Sequence, residues 1–115
     1  MEELKKAVKQ FAKERDWEKY HSPKNLVMGL SVEVGELMEL FLWLSDEESK
    51  NLGQTKLNHL KEEIGDVMVY LVNLADKFGL DPIECAMAKL EINEKKYPSH
   101  LVKGSAKKYN EYSQS

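Results

Sequence analysis

The chain has one cysteine, no long apolar run and no excess of positive charge, and each shortage excludes a class of protein. Cys85 alone cannot form an intrachain disulfide. No apolar run approaches the roughly 18 residues that a membrane-spanning helix needs, and the charged N-terminal segment lacks a signal-peptide core. The net charge of −3 argues against a surface for a nucleic acid polymer, which would require a basic excess. We therefore expect a cytoplasmic protein without a membrane or nucleic acid partner.

Apolar residues recur at helical spacing through most of the 115 residues, and no strand-like alternation of useful length occurs. The pattern predicts a first helix over about residues 2–15. Ser22-Pro23 is typical of a helix start, and the second helix is expected to continue to the polar interval that ends at Gly53. A third helix is closed by Gly79, and a fourth runs from Pro82 to a point before Pro98.

These patterns predict the fold class and the division of the chain. Four amphipathic helices with apolar seams favour an all-α four-helix bundle. We place this helical domain at residues 1–98. The Ser-, Gly-, Lys- and Tyr-rich residues 99–115 are interpreted as a C-terminal tail or a partner-docking arm.

Two acidic pairs share one spacing on the second and third helices: Glu33-x-x-Glu36 and Glu63-x-x-Asp66. Carboxylates three residues apart lie on one helix face, and their repulsion costs a few tenths of a kcal/mol unless a cation offsets it. Val34 and Ile64 are placed at a positions of the apolar seams, so the first member of each pair falls at g and the second at c. Because a short connection makes successive helices antiparallel, the pairs are expected to converge beside the apolar core.

The ligand chemistry of these pairs favours Mg²⁺, with Mn²⁺ possible, because neither pair contains His or Cys. A di-iron site is disfavoured, since His59 does not stand three residues after a glutamate. The alternative is two solvated acidic faces, which is the usual environment of glutamate. Mg²⁺ commonly takes substrate phosphates as its further ligands, so a nucleotide polyphosphate is the substrate class that fits.

Two further features suit such a substrate. On the fourth helix, Lys89, Asn93 and Lys96 form one stripe that could hold phosphate oxygens, or could be a solvated basic face. Trp43 and Tyr70 each stand seven residues beyond an acidic residue and continue its stripe. Either aromatic ring could stack on a base, or both could belong to the core.

Four blocks in order carry a resemblance to a known family: RDWEKYHSPKNL, EVGELMELFLW, EEIGDVMVYL and KLEINEKKYPSHL. The chain resembles the MazG-like all-α nucleoside triphosphate pyrophosphohydrolases, and within them the small dCTP pyrophosphatase branch. The likeness extends from about Phe11 to Tyr112. Val8 is a departure, because it stands where the branch carries a histidine that helps to read the nucleotide.

The resemblance implies roles for the residues that match the family's motifs. It implies magnesium ligands at Glu33, Glu36, Glu63 and Asp66. It implies a base and sugar pocket formed by the Trp17 to His21 segment with Trp43 and Tyr70, and phosphate contacts from Lys89, Asn93, Lys96 and Tyr97. We expect Glu36 to be the base that activates water, if a carboxylate does so, with Glu39, one turn further along the same helix, as the weaker alternative.

The implied activity is Mg²⁺-dependent hydrolysis of a dCTP-like nucleoside triphosphate to the monophosphate and pyrophosphate, as nucleotide-pool house-cleaning. Two alternatives stay open: a non-catalytic helical interaction module, and the same fold acting on dUTP or a phosphoribosyl nucleotide. A homodimer or homotetramer is expected, because short helices with extended apolar seams leave surface to cover and members of the family assemble in this way.

Overall fold

The computed structural model describes residues 1–104, and that part of the chain contains helices and loops but no strand. The helices are α1 (Glu2–Glu14), a short 3₁₀ helix (Glu18–Tyr20), α2 (Pro23–Leu42), α3 (Asp46–Ser49), α4 (Gln54–Asp76), α5 (Pro82–Lys96) and α6 (Ser99–Val102). The predicted all-α class is confirmed, and the four long helices are the four that the apolar pattern predicted. Residues 105–115 of the predicted tail lie outside the described residues.

The chain divides into two compact units, Met1–Asp81 and a second that begins at Pro82. The first contains α1 to α4, and the second contains α5 and α6. The α5 helix ends with Lys96, and the backbone N–H of Tyr97 still donates to the carbonyl of Asn93 at 2.8 Å. Pro98 then precedes the single turn of α6, because proline has no N–H with which to continue α5.

Short-range hydrogen bonds explain where α2 begins and ends. The Ser22 hydroxyl accepts from the backbone N–H of Asn25 at 3.1 Å, and Pro23 occupies the first turn, where no N–H is needed. The prediction that α2 continues to the interval ending at Gly53 is wrong, because α2 ends at Leu42. Ser45 and Glu48 form a reciprocal capping box that starts the separate turn of α3.

In the first unit, α4 packs against both α1 and α2. The α2 and α4 helices are antiparallel. Gly29, early in α2, lies against Tyr70 of α4. Glu33 and Glu36, later in α2, meet residues that come earlier in α4, Glu63 and Asp66. Ion pairs also connect α1 to α4. Asp76 lies 3.4 Å from the Lys5 ammonium and 4.0 Å from that of Lys9.

The core of the first unit is small, and the acidic residues lie closer to it than predicted. Among residues 1–104, the buried apolar side chains are Val8, Ala12, Leu26 and Val72. Glu33 and Glu63 are half-buried, whereas the neighbouring seam residues Val34 and Ile64 are 47% and 54% exposed. Successive helical residues point about 100° apart, so turning the carboxylates inward turns these seam residues outward. The prediction that these two residues lie in the seam is therefore wrong for the single chain.

Within residues 1–104, no helix has both the length and the apolar character that a bilayer span requires.

Candidate functional site

The two acidic pairs converge at the contact between α2 and α4. Each of the four residues Glu33, Glu36, Glu63 and Asp66 offers one carboxylate oxygen, and these oxygens all lie within 4.8 Å of one another. The first residue of each pair is half-buried and the second is exposed. The equivalent heptad positions therefore predicted the convergence correctly, and the cluster has one closed side against the protein and one open side.

Burial and mutual repulsion disturb the ionisation of the inner carboxylates. The pKa of Glu33 is raised to about 7, first by burial, then by a hydrogen bond shared with Glu36 and by the negative charges around it. The pKa of Glu63 is also raised, again first by burial and then by the charges of Glu36 and Asp66. In both cases the environment disfavours the charged carboxylate. A cation at this point would reverse that balance.

The unpaired oxygens of the cluster fit a divalent cation. Oε2 of Glu33 and Oε2 of Glu63 are buried, and no group within residues 1–104 donates a hydrogen bond to either. A buried acceptor without a donor costs about 1–3 kcal/mol, so two such atoms in one acidic cluster favour a positive partner. Because every candidate ligand atom is a carboxylate oxygen, the set suits a hard ion such as Mg²⁺ or Mn²⁺.

A cavity of about 520 Å³ adjoins the cluster and includes two of its members, Glu33 and Asp66. Its wall also contains Trp17, His21 and Tyr70, three of the residues that the resemblance implied for base and sugar binding. This volume lies within the usual range for small-molecule sites. Carboxylates that could hold a metal and aromatic rings that could contact a base thus share one cavity.

The turn after α1 directs Trp17 into this cavity. Asp16 has a φ of 53°, and the N–H of Trp17 donates back to the carbonyl of Ala12 at 2.9 Å, which closes the helix with a left-handed residue. The Trp17 and Phe11 rings then meet in a T-shaped arrangement, with ring centroids 5.7 Å apart. Both rings line the cavity. The aromatic wall is therefore set by backbone geometry as well as by ring contact.

The position of the Tyr70 ring depends on Gly29, which lies opposite it on α2. A Cβ atom added at Gly29 would come within 2.8 Å of Cζ in the Tyr70 ring and would overlap the rest of its edge. Only glycine therefore lets α2 approach α4 closely enough to enclose this ring. Tyr70 is partly buried and lines the cavity.

His21 is joined to α4 across the cavity wall. Its Nδ1 lies 3.2 Å from Nδ2 of Asn73, and both residues line the cavity. Burial lowers the pKa of His21, the nearby Lys77 ammonium lowers it further, and Glu18 opposes this weakly. The imidazole is therefore neutral at neutral pH. Val8, which stands where the related branch has a histidine, contributes buried apolar surface to the same cavity.

The remaining predicted substrate-binding residues are one aromatic residue at the end of α2 and four residues of the second unit. Trp43 caps the C-terminal end of α2 and is 89% exposed, so it does not belong to the core of the single chain. Lys89, Asn93 and Lys96 lie on α5 in the second unit, and Tyr97 follows it directly. A second cavity, of about 560 Å³, surrounds the loop between α3 and α4 and contains none of the four clustered carboxylates.

The sequence interpretation did not assign Phe11 or Asn73 to the site, although both line the cavity. Asn73 stands seven residues after Asp66 and three after Tyr70, so the three share one face of α4. That spacing was visible in the sequence and could have identified it. Phe11 is one of the apolar residues of α1, and it is 49% exposed where it lines the cavity.

Comparison with known proteins gives one consistent result. The model of the MazG-like family matches residues 28–112. dCTP pyrophosphatase 1 of Homo sapiens is 42% identical over 113 residues, which cover 96% of this chain and 66% of that protein. The protein of the same name from Rattus norvegicus is 43% identical, with the same coverage. The chain thus spans about two thirds of the length of these relatives.

A solved structure agrees with this assignment. The crystal structure of a pyrophosphatase from Archaeoglobus fulgidus has a TM-score of 0.80 and 43% sequence identity. The match covers 85% of this chain and 92% of that one. The four sequence blocks had suggested the same kinship, and the chain belongs to the MazG-like family.

Proposed function

We propose that the protein hydrolyses a dCTP-like nucleoside triphosphate to the monophosphate and pyrophosphate, with Mg²⁺ or Mn²⁺ as cofactor. The observation that carries this proposal is the shared cavity, in which Glu33 and Asp66 of the carboxylate cluster lie with Trp17 and Tyr70. The names of the relatives, dCTP pyrophosphatase and pyrophosphatase, support the same reaction. The role proposed for this activity is house-cleaning of the nucleotide pool.

The four clustered carboxylates are the proposed metal ligands. Bound Mg²⁺ would offset their negative charge and stabilise the charge that develops on the phosphates. Glu33 and Glu63, each with a buried unpaired oxygen, are the anchoring ligands in this proposal. Glu36 and Asp66 are exposed and face the open side of the cluster.

Glu36 is the proposed base for the attacking water. As an exposed carboxylate of the cluster, it can accept the proton while the water oxygen bonds to the α-phosphorus. The bond from that phosphorus to the oxygen bridging to the β-phosphate breaks, and pyrophosphate leaves with the electron pair. Trp17 and Tyr70 contact the base and sugar in this proposal. Phosphate contacts from the α5 residues and base contact from Trp43 stay predictions that rest on the resemblance.

A product assay tests the reaction directly. The purified protein is incubated with each canonical deoxynucleoside triphosphate and Mg²⁺, and monophosphate and pyrophosphate are quantified by chromatography. We expect dCTP to give both products in equal amounts, and chelation by EDTA to stop the reaction. Glu36→Gln and Asp66→Asn should abolish turnover without loss of helicity, whereas Glu39→Gln, an exposed change on the same helix, should keep it.

The alternatives have separate outcomes in this assay. Substantial metal-dependent turnover by the Asp66→Asn variant would overturn its assignment as a ligand. Release of orthophosphate, or faster hydrolysis of dUTP or a phosphoribosyl nucleotide, would replace the proposed substrate. If the protein is a non-catalytic interaction module, titration calorimetry with Mg²⁺ and a non-hydrolysable dCTP analogue will detect binding of neither.

We also propose that the chain forms a homodimer or homotetramer through the outer faces of α2 and α4. Val34 and Met38 on α2 and Ile64 on α4 are 47%, 58% and 54% exposed, although their spacing is that of a buried seam. An exposed apolar stripe of this kind commonly marks an interface. Light scattering coupled to size exclusion should give at least a dimer, and Ile64→Lys should reduce it to a monomer. A monomeric parent protein at micromolar concentration would contradict this proposal.

A further inference from the structure

One wall of the cavity carries a hydrogen-bonded pair for which the proposed reaction gives no role, Asn73 of α4 and His21 of the loop before α2. Asp66, Tyr70 and Asn73 follow one another along one face of α4. At a rise of about 1.5 Å per residue, Asn73 lies about 10 Å along the helix from Asp66. A nucleotide whose phosphates lay at the carboxylates would therefore pass Tyr70 and could reach Asn73 with the edge of its base.

The pair fixes the orientation of the Asn73 amide. An amide NH₂ group can only donate, so His21 accepts at Nδ1 across the 3.2 Å contact and carries its own proton at Nε2. This requires a neutral imidazole, because an imidazolium has a proton at Nδ1 and cannot accept there. Burial and the Lys77 charge lower the pKa of His21 and so maintain that state, against the weaker effect of Glu18.

The fixed Asn73 amide leaves one acceptor, Oδ1, and one donor, the second Nδ2 proton, for a ligand. No group within residues 1–104 donates to Oδ1 of Asn73, and this oxygen is not among the buried unpaired atoms of that part of the chain. It is therefore an accessible acceptor. Since Nδ2 has two protons and His21 takes one, the second proton is an available donor beside it. Val8 and Phe11 on the α1 side of the cavity offer no competing hydrogen-bonding side chain.

We infer that Asn73, oriented by His21, reads the base and selects a pyrimidine with an exocyclic amine over one with a carbonyl at the same position. The inference rests on the proposed function and concerns the specificity of the same site. On cytosine, the exocyclic amine faces the acceptor Oδ1 and the ring N3 faces the donor Nδ2. On uracil, O4 faces Oδ1 and the N3 proton faces the Nδ2 proton, so both contacts are repulsive. His21 acts through Asn73 and is a positioning residue for this selection.

The test compares dCTP with dUTP, which differ only along this edge of the base. For the parent protein we expect kcat/KM to be at least about tenfold higher with dCTP, corresponding to about one hydrogen bond. Asn73→Leu removes the amide at similar volume, and should lower kcat/KM for dCTP about tenfold, while the value for dUTP does not fall because its repulsive contacts are removed. Asn58→Leu is the matched control on α4, because Asn58 is exposed and outside the cavity, and it should leave the ratio unchanged.

The His21→Phe variant separates an orienting role from a structural one. Without the Nδ1 acceptor, the amide can rotate and present its NH₂ group to O4 of uracil. We therefore expect kcat/KM for dUTP to rise several-fold in this variant, whereas Asn73→Leu lowers the value for dCTP. If the pair had only a structural role, the variant would lower kcat/KM for dCTP and dUTP together. The double variant should behave as Asn73→Leu, since His21 acts through Asn73.

Binding supplies a readout that does not depend on hydrolysis or on metal. Calorimetric titration of dCMP and dUMP in EDTA should show the same preference in the parent protein and its loss in Asn73→Leu. Normal hydrolysis with an unchanged dCTP to dUTP ratio in Asn73→Leu would overturn the inference and leave the proposed function intact. If the parent protein hydrolyses no nucleotide and binds neither monophosphate, the proposed function fails and this inference fails with it.

Discussion

Replacing Glu33 by glutamine is expected to stabilise the protein in the absence of metal. Burial and neighbouring charges raise the pKa of Glu33 from 4.5 to about 7. At full value this difference corresponds to about 3 kcal/mol of unfavourable free energy when the carboxylate is charged. Because Glu33 is partly exposed and its pKa depends on the other three carboxylates, we expect about 1–2 kcal/mol in practice. Glutamine keeps the shape of the side chain and removes the charge.

The pH dependence follows from the direction of the change. A carboxyl group with a pKa raised in the folded state costs nothing below about 4.5, where both states are protonated, and its full cost is reached above about 7. The parent protein should therefore lose stability relative to Glu33→Gln as the pH rises between these values. Above pH 7 the difference should be constant.

The assay is urea denaturation in EDTA, followed by far-UV circular dichroism at fixed protein concentration and at several pH values. Glu39→Gln is the matched control, since it removes one negative charge from an exposed position on the same helix. Added Mg²⁺ should stabilise the parent protein more than Glu33→Gln, because a ligand that binds only the folded state stabilises it. The reasoning is refuted if Glu33→Gln shows no gain over Glu39→Gln at pH 8, or if Mg²⁺ stabilises all three proteins equally.

Three further changes test how the cavity is built. Gly29→Ala should destabilise the fold by about 1–3 kcal/mol and raise KM, because its Cβ displaces the Tyr70 ring. Gly35→Ala is the control, since the space around its Cβ is open. Equal denaturation midpoints for the two variants would contradict the contact between Gly29 and Tyr70. Trp43→Ala should alter KM or base preference with the metal requirement preserved, and an unchanged nucleotide profile would exclude Trp43 from recognition. Ser22→Ala should cost about 1 kcal/mol in urea denaturation through the lost cap of α2, and no measurable loss would show that the cap is dispensable.

The sequence was sufficient for the helices that hold the site. Apolar spacing and the Ser22-Pro23 start predicted the long helices because these signals are local. They act through hydrogen bonds between residues a few positions apart. The end of α2 was missed because Ser45 and Glu48 begin a new turn that competes with continued helix. A capping box of this kind is also visible in the sequence.

The sequence also predicted that the two acidic pairs meet, but not how deeply they are buried. Equal heptad positions on antiparallel helices were enough to bring the carboxylates together. The rotation of each helix about its own axis decides whether Glu33 or Val34 faces inward. That rotation depends on the sum of many weak contacts, including the approach of Gly29 to Tyr70, and no short spacing rule contains it.

By itself, the sequence determined an all-α chain of the MazG-like family with two acidic pairs in equivalent register, because helical periodicity and motif spacing are properties of neighbours along the chain. Only the tertiary structure decided which groups share a cavity. It brings Trp17 to the carboxylates through the turn at Asp16, and it joins His21 to Asn73, 52 residues later in the chain. Such contacts depend on how three helices pack, and the packing of side chains far apart in sequence fixes the chemistry of the site.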